Sequence, residues 1–178
     1  MESDAAVHPG RPARSAAADA AVTALYQAHA LGLIRLAYLM LGDTAAAEDV
    51  VQEAFTGLYR RWAHLSDPAK ALPYVRSSIL NACRTQLRRL GQPPPGAGQD
   101  PPSAVSAEAA ALSGEDRRAV LSALRRLPGR QREVLVLRYY LDLPEPEIAA
   151  AMGIGPSTVR STAHRALAAL ARLLEEQP

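Results

Sequence analysis

Cys83 is the only cysteine in the sequence, which excludes an intramolecular disulfide framework. It sits among apolar residues at helical spacing, where a small buried hydrophobe is a better reading than a nucleophile. The four histidines, His8, His29, His64 and His164, are scattered with no second ligand at metal spacing, so no metal site is expected. No apolar run approaches the ~20 residues of a membrane span. Residues 1–20 also lack the apolar core of a signal peptide, so a cytoplasmic protein without membrane insertion is expected. Aromatic residues are few (one Phe, one Trp, six Tyr), and no stretch alternates with the period of a strand. Catalytic constellations are missing as well. Asp49 and Glu53 share a helix face one turn apart, but Arg60 follows on that face, which favours a solvated or protein-docking surface over an acid–base dyad. The Gly153-x-Gly155 fragment follows no strand and is no nucleotide fingerprint. No catalytic residue and no cofactor is expected.

What the sequence does hold is alanine, leucine and arginine, the composition of an all-helical protein. Net charge is only +2, yet all but one of the twenty basic residues are arginine, whose planar fork suits phosphate and carboxylate alike. Residues 1–20 are small, polar and broken by proline and glycine, and read as a disordered lead. Residues 91–111 open with GQPPPGAGQDPPSAVS, a flexible Pro/Gly-rich linker with almost nothing to bury. The linker separates two small helical domains, 21–90 and 112–175.

In the first domain an apolar helix around Leu31–Leu41 should be central, stopped by Gly42-Asp43-Thr44, which caps the next helix. That helix, 45–62, buries Ala47, Val50, Val51, Ala54, Phe55, Leu58 and Trp62 and turns Asp49, Gln52, Glu53, Thr56 and Arg60 outward. A loop with the helix-breaking Asp67-Pro68 step precedes a helix over 73–90, which buries Val75, Ile79, Cys83, Leu87 and Leu90. Its other faces carry Arg76, Asn81, Arg84 and Arg88, donors suited to phosphates and base edges. In the second domain Val120, Leu121, Leu124 and Leu127 form one stripe, and Val134, Leu135, Leu137, Tyr139 and Leu141 the next.

EPEIAAAMGIGPSTVRSTAH, residues 145–164, then spells a helix-turn-helix. Ala149 is small where the helices cross, Gly153 supplies the positive φ of the turn, and Val159 locks the second helix, whose stripe continues through Ala163, Ala166, Leu167 and Leu170. Ser157, Thr158, Arg160, Ser161, His164 and Arg165 fall off that stripe, where such a helix reads a major groove. Alone, the motif suggests a self-standing regulator whose first half senses or dimerises, with an ordinary solvated face on a helical hairpin as the bland alternative.

AAAEDVVQEAFTGLYRRW (45–62) followed by PYVRSSILNACRTQLRR (73–89) resembles the second conserved region of bacterial extracytoplasmic-function sigma factors, in the sigma-70 family. LPGRQREVLVLRYYLDLPEPEIAAAMGIGPSTVRSTAHRALAAL (127–170) resembles their fourth region, and LYRRW with PYVR is similar to actinobacterial members. The resemblance implies a dissociable, non-catalytic promoter-specificity subunit whose partners are core RNA polymerase, promoter DNA and, as for many relatives, an anti-sigma factor. It implies that Asp49, Gln52, Glu53 and Arg60 dock the clamp helices of the polymerase's largest subunit. It also implies that loop 64–72 cradles a flipped base, that Arg76, Asn81, Arg84 and Arg88 contact the −10 element, and that Ser157, Thr158, Arg160, Ser161, His164 and Arg165 read the −35 element. Pro144 replaces a frequent Ser N-cap, and Pro146 sits in the first turn, where the missing N–H is an orphan anyway.

Overall fold

The computed structural model describes residues 11–90 and 114–176, and every regular element among them is helical. Helix α1 (Arg11–Leu41) is the longest, at 31 residues. Its first turns are rich in alanine, the strongest helix former. Arg11–Ala20, expected in the disordered lead, are therefore helical, while residues 1–10 of that lead lie outside the described residues. By length and composition Ala16–Leu41 could cross a membrane, at mean hydropathy 1.2. Asp19, Thr23, Gln27, His29 and Arg35 interrupt it, however, and its C-terminal part is core: Leu33, Leu36, Ala37, Tyr38 and Met40 are all buried.

The chain turns at Gly42, with φ +77°, and Asp43 accepts the Ala46 N–H at 2.7 Å, the predicted cap of α2 (Thr44–Arg61). Helix α2 buries Ala47, Val50, Val51, Ala54, Phe55 and Leu58 against α1 and α3, with Trp62 half-buried just beyond its end. Two short 3-10 turns, Trp62–His64 and Pro68–Lys70, form the loop to α3 (Ala71–Leu90), and Asp67 caps the second by accepting the Ala69 N–H at 2.9 Å. Val75, Ile79, Leu80 and Cys83 of α3 complete this part of the core. The linker expected over 91–111 lies outside the described residues.

The second half comprises α4 (Gly114–Arg126), α5 (Gly129–Leu135) running directly into a π turn (Val136–Tyr140), α6 (Glu145–Met152) and α7 (Pro156–Glu175). The wider π turn shifts the face each side chain presents. Tyr139, expected on the apolar stripe, is accordingly 62% exposed, while Val136 is buried. The buried stripe of α7 is centred on Val159, Thr162, Ala163 and Ala166, which rotates Leu167, also expected inside, to a rim where it is 42% exposed.

The two halves are packed together. Helix α1 touches α4, α5 and the π turn, and α3 touches α6, so one apolar cluster runs from Leu36 and Met40 through Leu127 and Val134 to Ile148 and Ala163.

Candidate functional site

Three polar faces emerge from these helices. On α2 the heptad-like burial of one side leaves Asp49, Gln52, Glu53 and Arg60 exposed along the other. Beside that row lies a shallow hollow between α1 and α2, about 280 Å³, floored by Phe55 and edged by Tyr26 and Tyr59. Tyr26 packs edge-on to Phe55 at 5.0 Å between ring centroids, yet it and Tyr59 are exposed. A charged row next to an apolar hollow with tyrosine rims is the chemistry of a protein-docking surface. Sequence reading missed the two tyrosines, because they lie on different helices and only tertiary packing joins them to the row.

Helix α3 carries the second set. Asn81, Arg84 and Arg88 follow one another at three- and four-residue steps and share one side. Together with Arg76 they do not form one open face. Arg88 and Asn81 are exposed, and Arg88 Nη2 donates to Thr85 Oγ1 at 3.2 Å. Arg84 Nη1 donates to Asn81 Oδ1 at 2.6 Å, but its Nε and Nη2 are turned to the Glu133 carboxylate in the other half. Arg76 faces Glu147 across 3.5 Å. In the loop, His64, Ser66, Pro68 and Lys70 are exposed, and the Arg61 guanidinium lies over the Tyr74 ring at 5.9 Å.

The third set lies on α7. Gly153, with φ +65°, ends α6, and the Ile154 N–H returns to Ala149 O at 3.1 Å, closing the expected turn. Gly155 precedes α7 without a side-chain cap. The first amides of α7 thus keep their anion-binding capacity. Ser157, Thr158, Arg160, Ser161, His164 and Arg165 are all exposed on one continuous surface. Arg165 Nε donates to Ser161 O at 3.2 Å, and Arg160 Nε lies 3.6 Å from Glu145 Oε2. Pro144 caps α6 with no side-chain hydrogen bond, and Glu145 pairs with Arg138 at 2.7 Å.

Charge in the interior is held rather than reactive. Burial, with Glu133 nearby, pushes the Cys83 thiol up to about 12, so it is protonated at neutral pH. Burial and the neighbouring Arg125 pull Arg132 down to about 10, which still leaves it charged. Among the described residues no group of three or more His, Cys, Asp or Glu side chains could hold a metal ion.

The chain is similar to known proteins in sequence and in fold. Residues 25–92 match the family described as Sigma-70 region 2, and residues 117–170 match Sigma-70, region 4. The chain is 35% identical over 176 residues to the ECF RNA polymerase sigma factor SigL of Mycobacterium tuberculosis, covering 93% of this chain and 96% of that one. Its fold is similar to CnrH, solved with the cytosolic domain of CnrY, at TM-score 0.67 and 24% identity over 92% of this chain and 98% of that one. It is also similar to the sigma factor RpoE of Bartonella quintana, solved with the anti-sigma factor NepR, at TM-score 0.62 and 21% identity over 86% and 98%.

Proposed function

The chain belongs to the extracytoplasmic-function sigma factors of bacterial RNA polymerase, and from that membership we propose how its surfaces divide the work. It is an alternative sigma factor that directs RNA polymerase to promoters. In the proposed division Asp49, Gln52, Glu53 and Arg60 of α2 dock the polymerase clamp, with Tyr26 and Tyr59 supplying apolar contact at the edge. Arg76, Asn81, Arg84 and Arg88 take the −10 strand, and the loop over 64–72 receives a base turned out of the stack at a cost of a few kcal/mol. Ser157, Thr158, Arg160, Ser161, His164 and Arg165 read the −35 duplex, with Arg160 placed to bond a guanine edge bidentately. The protein does this without chemistry of its own. An anti-sigma factor is proposed as its regulator, as the Bartonella protein of the same fold is held by one.

The observation that carries this reading is that the α2 and α7 polar faces are exposed on the side away from the shared core, on helices that different parts of the chain supply. A modest net charge fits a DNA reader whose affinity comes from two weak contacts joined by a carrier. Run-off transcription from genomic DNA with core polymerase, with and without the protein, tests it. New start sites and co-purification with polymerase are expected; neither appearing sinks the assignment. Within that assay Arg160→Ala should alter the ranking of −35 variants without changing polymerase affinity, and an unaltered ranking removes Arg160 from the readout.

A further inference from the structure

We propose that Glu145, at the start of α6, is a positioning residue for the −35 readout: held by Arg138, its carboxylate aims the Arg160 fork at a guanine edge. The inference rests on the assignment of Arg160 to the −35 duplex. Three elements meet here, the π turn with Arg138, α6 with Glu145 and α7 with Arg160. Arg138 Nη2 donates to Glu145 Oε1 at 2.7 Å. The other carboxylate oxygen, Oε2, lies 3.6 Å from Arg160 Nε. One carboxylate thus spans two guanidinium groups, with a different oxygen toward each. Glu145 is itself set in place. It opens the first turn of α6 between Pro144 and Pro146, whose rings fix φ on either side. A carboxylate there also faces the positive end of the helix dipole. The side chains of Arg138, Glu145 and Arg160 are 27%, 31% and 66% exposed, so the anchored end is half-buried and the reading end reaches solvent.

Glu145 meets Arg160 on its Nε side, and this decides what Arg160 can do. A guanidinium met at Nε keeps its outer Nη1–Nη2 edge for another partner, and two parallel N–H donors match guanine O6 and N7. Without Glu145, Arg160 has a second choice. An arginine on a reading helix can bond phosphates as well as bases, and phosphate contacts carry no sequence information. Glu145 opposes that choice. A carboxylate beside the strand repels phosphate, and Arg160 swung to the backbone would leave Glu145 facing DNA uncompensated. Fixing the side chain before the duplex arrives also lowers the ordering cost of binding. Stability does not account for the arrangement, because a solvent-exposed ion pair adds little to it. Glu145 therefore sharpens the difference between right and wrong sequences rather than adding affinity.

The test compares Glu145→Ala, Glu145→Gln and Arg138→Gln in holoenzyme. The template is a promoter mapped by run-off transcription, with each base placed in turn at every −35 position. Arg160→Ala first marks the position whose preference Arg160 sets. There Glu145→Ala should weaken the preference about fivefold, the lower end for a bidentate base contact. Glu145→Gln, whose amide oxygen still accepts from an arginine, should weaken it less, and Arg138→Gln should move it the same way. Other −35 positions and the −10 element should keep their ranking. Holoenzyme binding to duplex without a −35 element, read by fluorescence anisotropy, should rise in Glu145→Ala but not in Glu175→Gln, which removes an exposed charge at the far end of α7. In the Arg160→Ala background, Glu145→Ala should change the preference no further. An unchanged preference in both Glu145 variants overturns the proposal. So does a loss spread evenly over all −35 positions, which would mean that α6 itself had shifted, or a further loss in the double variant. If Arg160→Ala alters no preference, the −35 assignment of Arg160 fails and the inference falls with it. If Arg160→Ala alters it and the Glu145 variants do not, only the positioning role is refuted.

Discussion

Arg132 is a cation kept inside a core by oxygens that would otherwise be orphans. The last carbonyls of a helix have no intrahelical donor. Arg132, 1% exposed, donates to Leu124 O, Arg125 O and Leu127 O at the end of α4, and to Met40 O across the joint. The positive charge also opposes the negative end of the helix dipole. Arg132→Met keeps most of the volume and leaves four carbonyls bare, so it should cost about 3–5 kcal/mol, the range for stripping one partner from a buried charged network. Urea denaturation checks this, and a loss under about 1 kcal/mol would mean water satisfies those carbonyls. Nothing in GRQREVL marks this arginine apart from Arg130 two positions earlier, which is exposed. Cys83 was legible as a buried hydrophobe because its neighbours carry a helical period; Arg132 was not, because its partners lie on α1 and α4.

Helices set their own boundaries through short-range chemistry, and these parts were readable from sequence. The Asp43 cap, the Gly153 turn and the buried stripe of α2 all follow from neighbours no more than five positions apart along the chain. The π turn was not readable, since its register shift comes from packing, and it moved Tyr139 from the expected stripe to solvent. Two glycines at positive φ separate local from tertiary demands. A Cβ at Gly153 would meet nothing within 4 Å, so Gly153→Ala should cost only left-handed strain, about 1–2 kcal/mol. At Gly42 the same Cβ would come within 2.8 Å of Arg125 Nε, so Gly42→Ala should cost more and disturb the Arg125–Tyr38 contact as well. Thermal unfolding of both variants gives the order, and equal losses would show that Arg125 moves aside freely. On α2, Asp49→Arg with Glu53→Arg should abolish capture by core polymerase while leaving the circular dichroism of the free chain unchanged, since both side chains are exposed. Retained capture would put the docking surface elsewhere on the hairpin.

At the scale of the molecule the two halves, readable as separate domains with their own polar faces, share one core that the sequence did not reveal. Pairings such as Arg84 with Glu133 join positions 49 apart and leave no periodic trace. Units of one chain usually move independently unless their interface is large and apolar. This joint is mixed, with Met40 and Leu127 beside charged pairs. Whether the halves unfold together depends on whether their coupling exceeds the difference between their separate stabilities. The continuous apolar cluster argues that it does, so calorimetry of the free chain should show one transition. Removing the two acids with Glu133→Gln and Glu147→Gln leaves Arg84 and Arg76 without carboxylate partners across the joint, and the coupling between the halves weakens. The single transition should then split into two, the first half and the second melting apart. A wild-type trace already resolved into two peaks would mean that coupling is smaller than the difference in stability. The Arg84–Glu133 and Arg76–Glu147 pairs would then add too little to bind the halves into one cooperative unit.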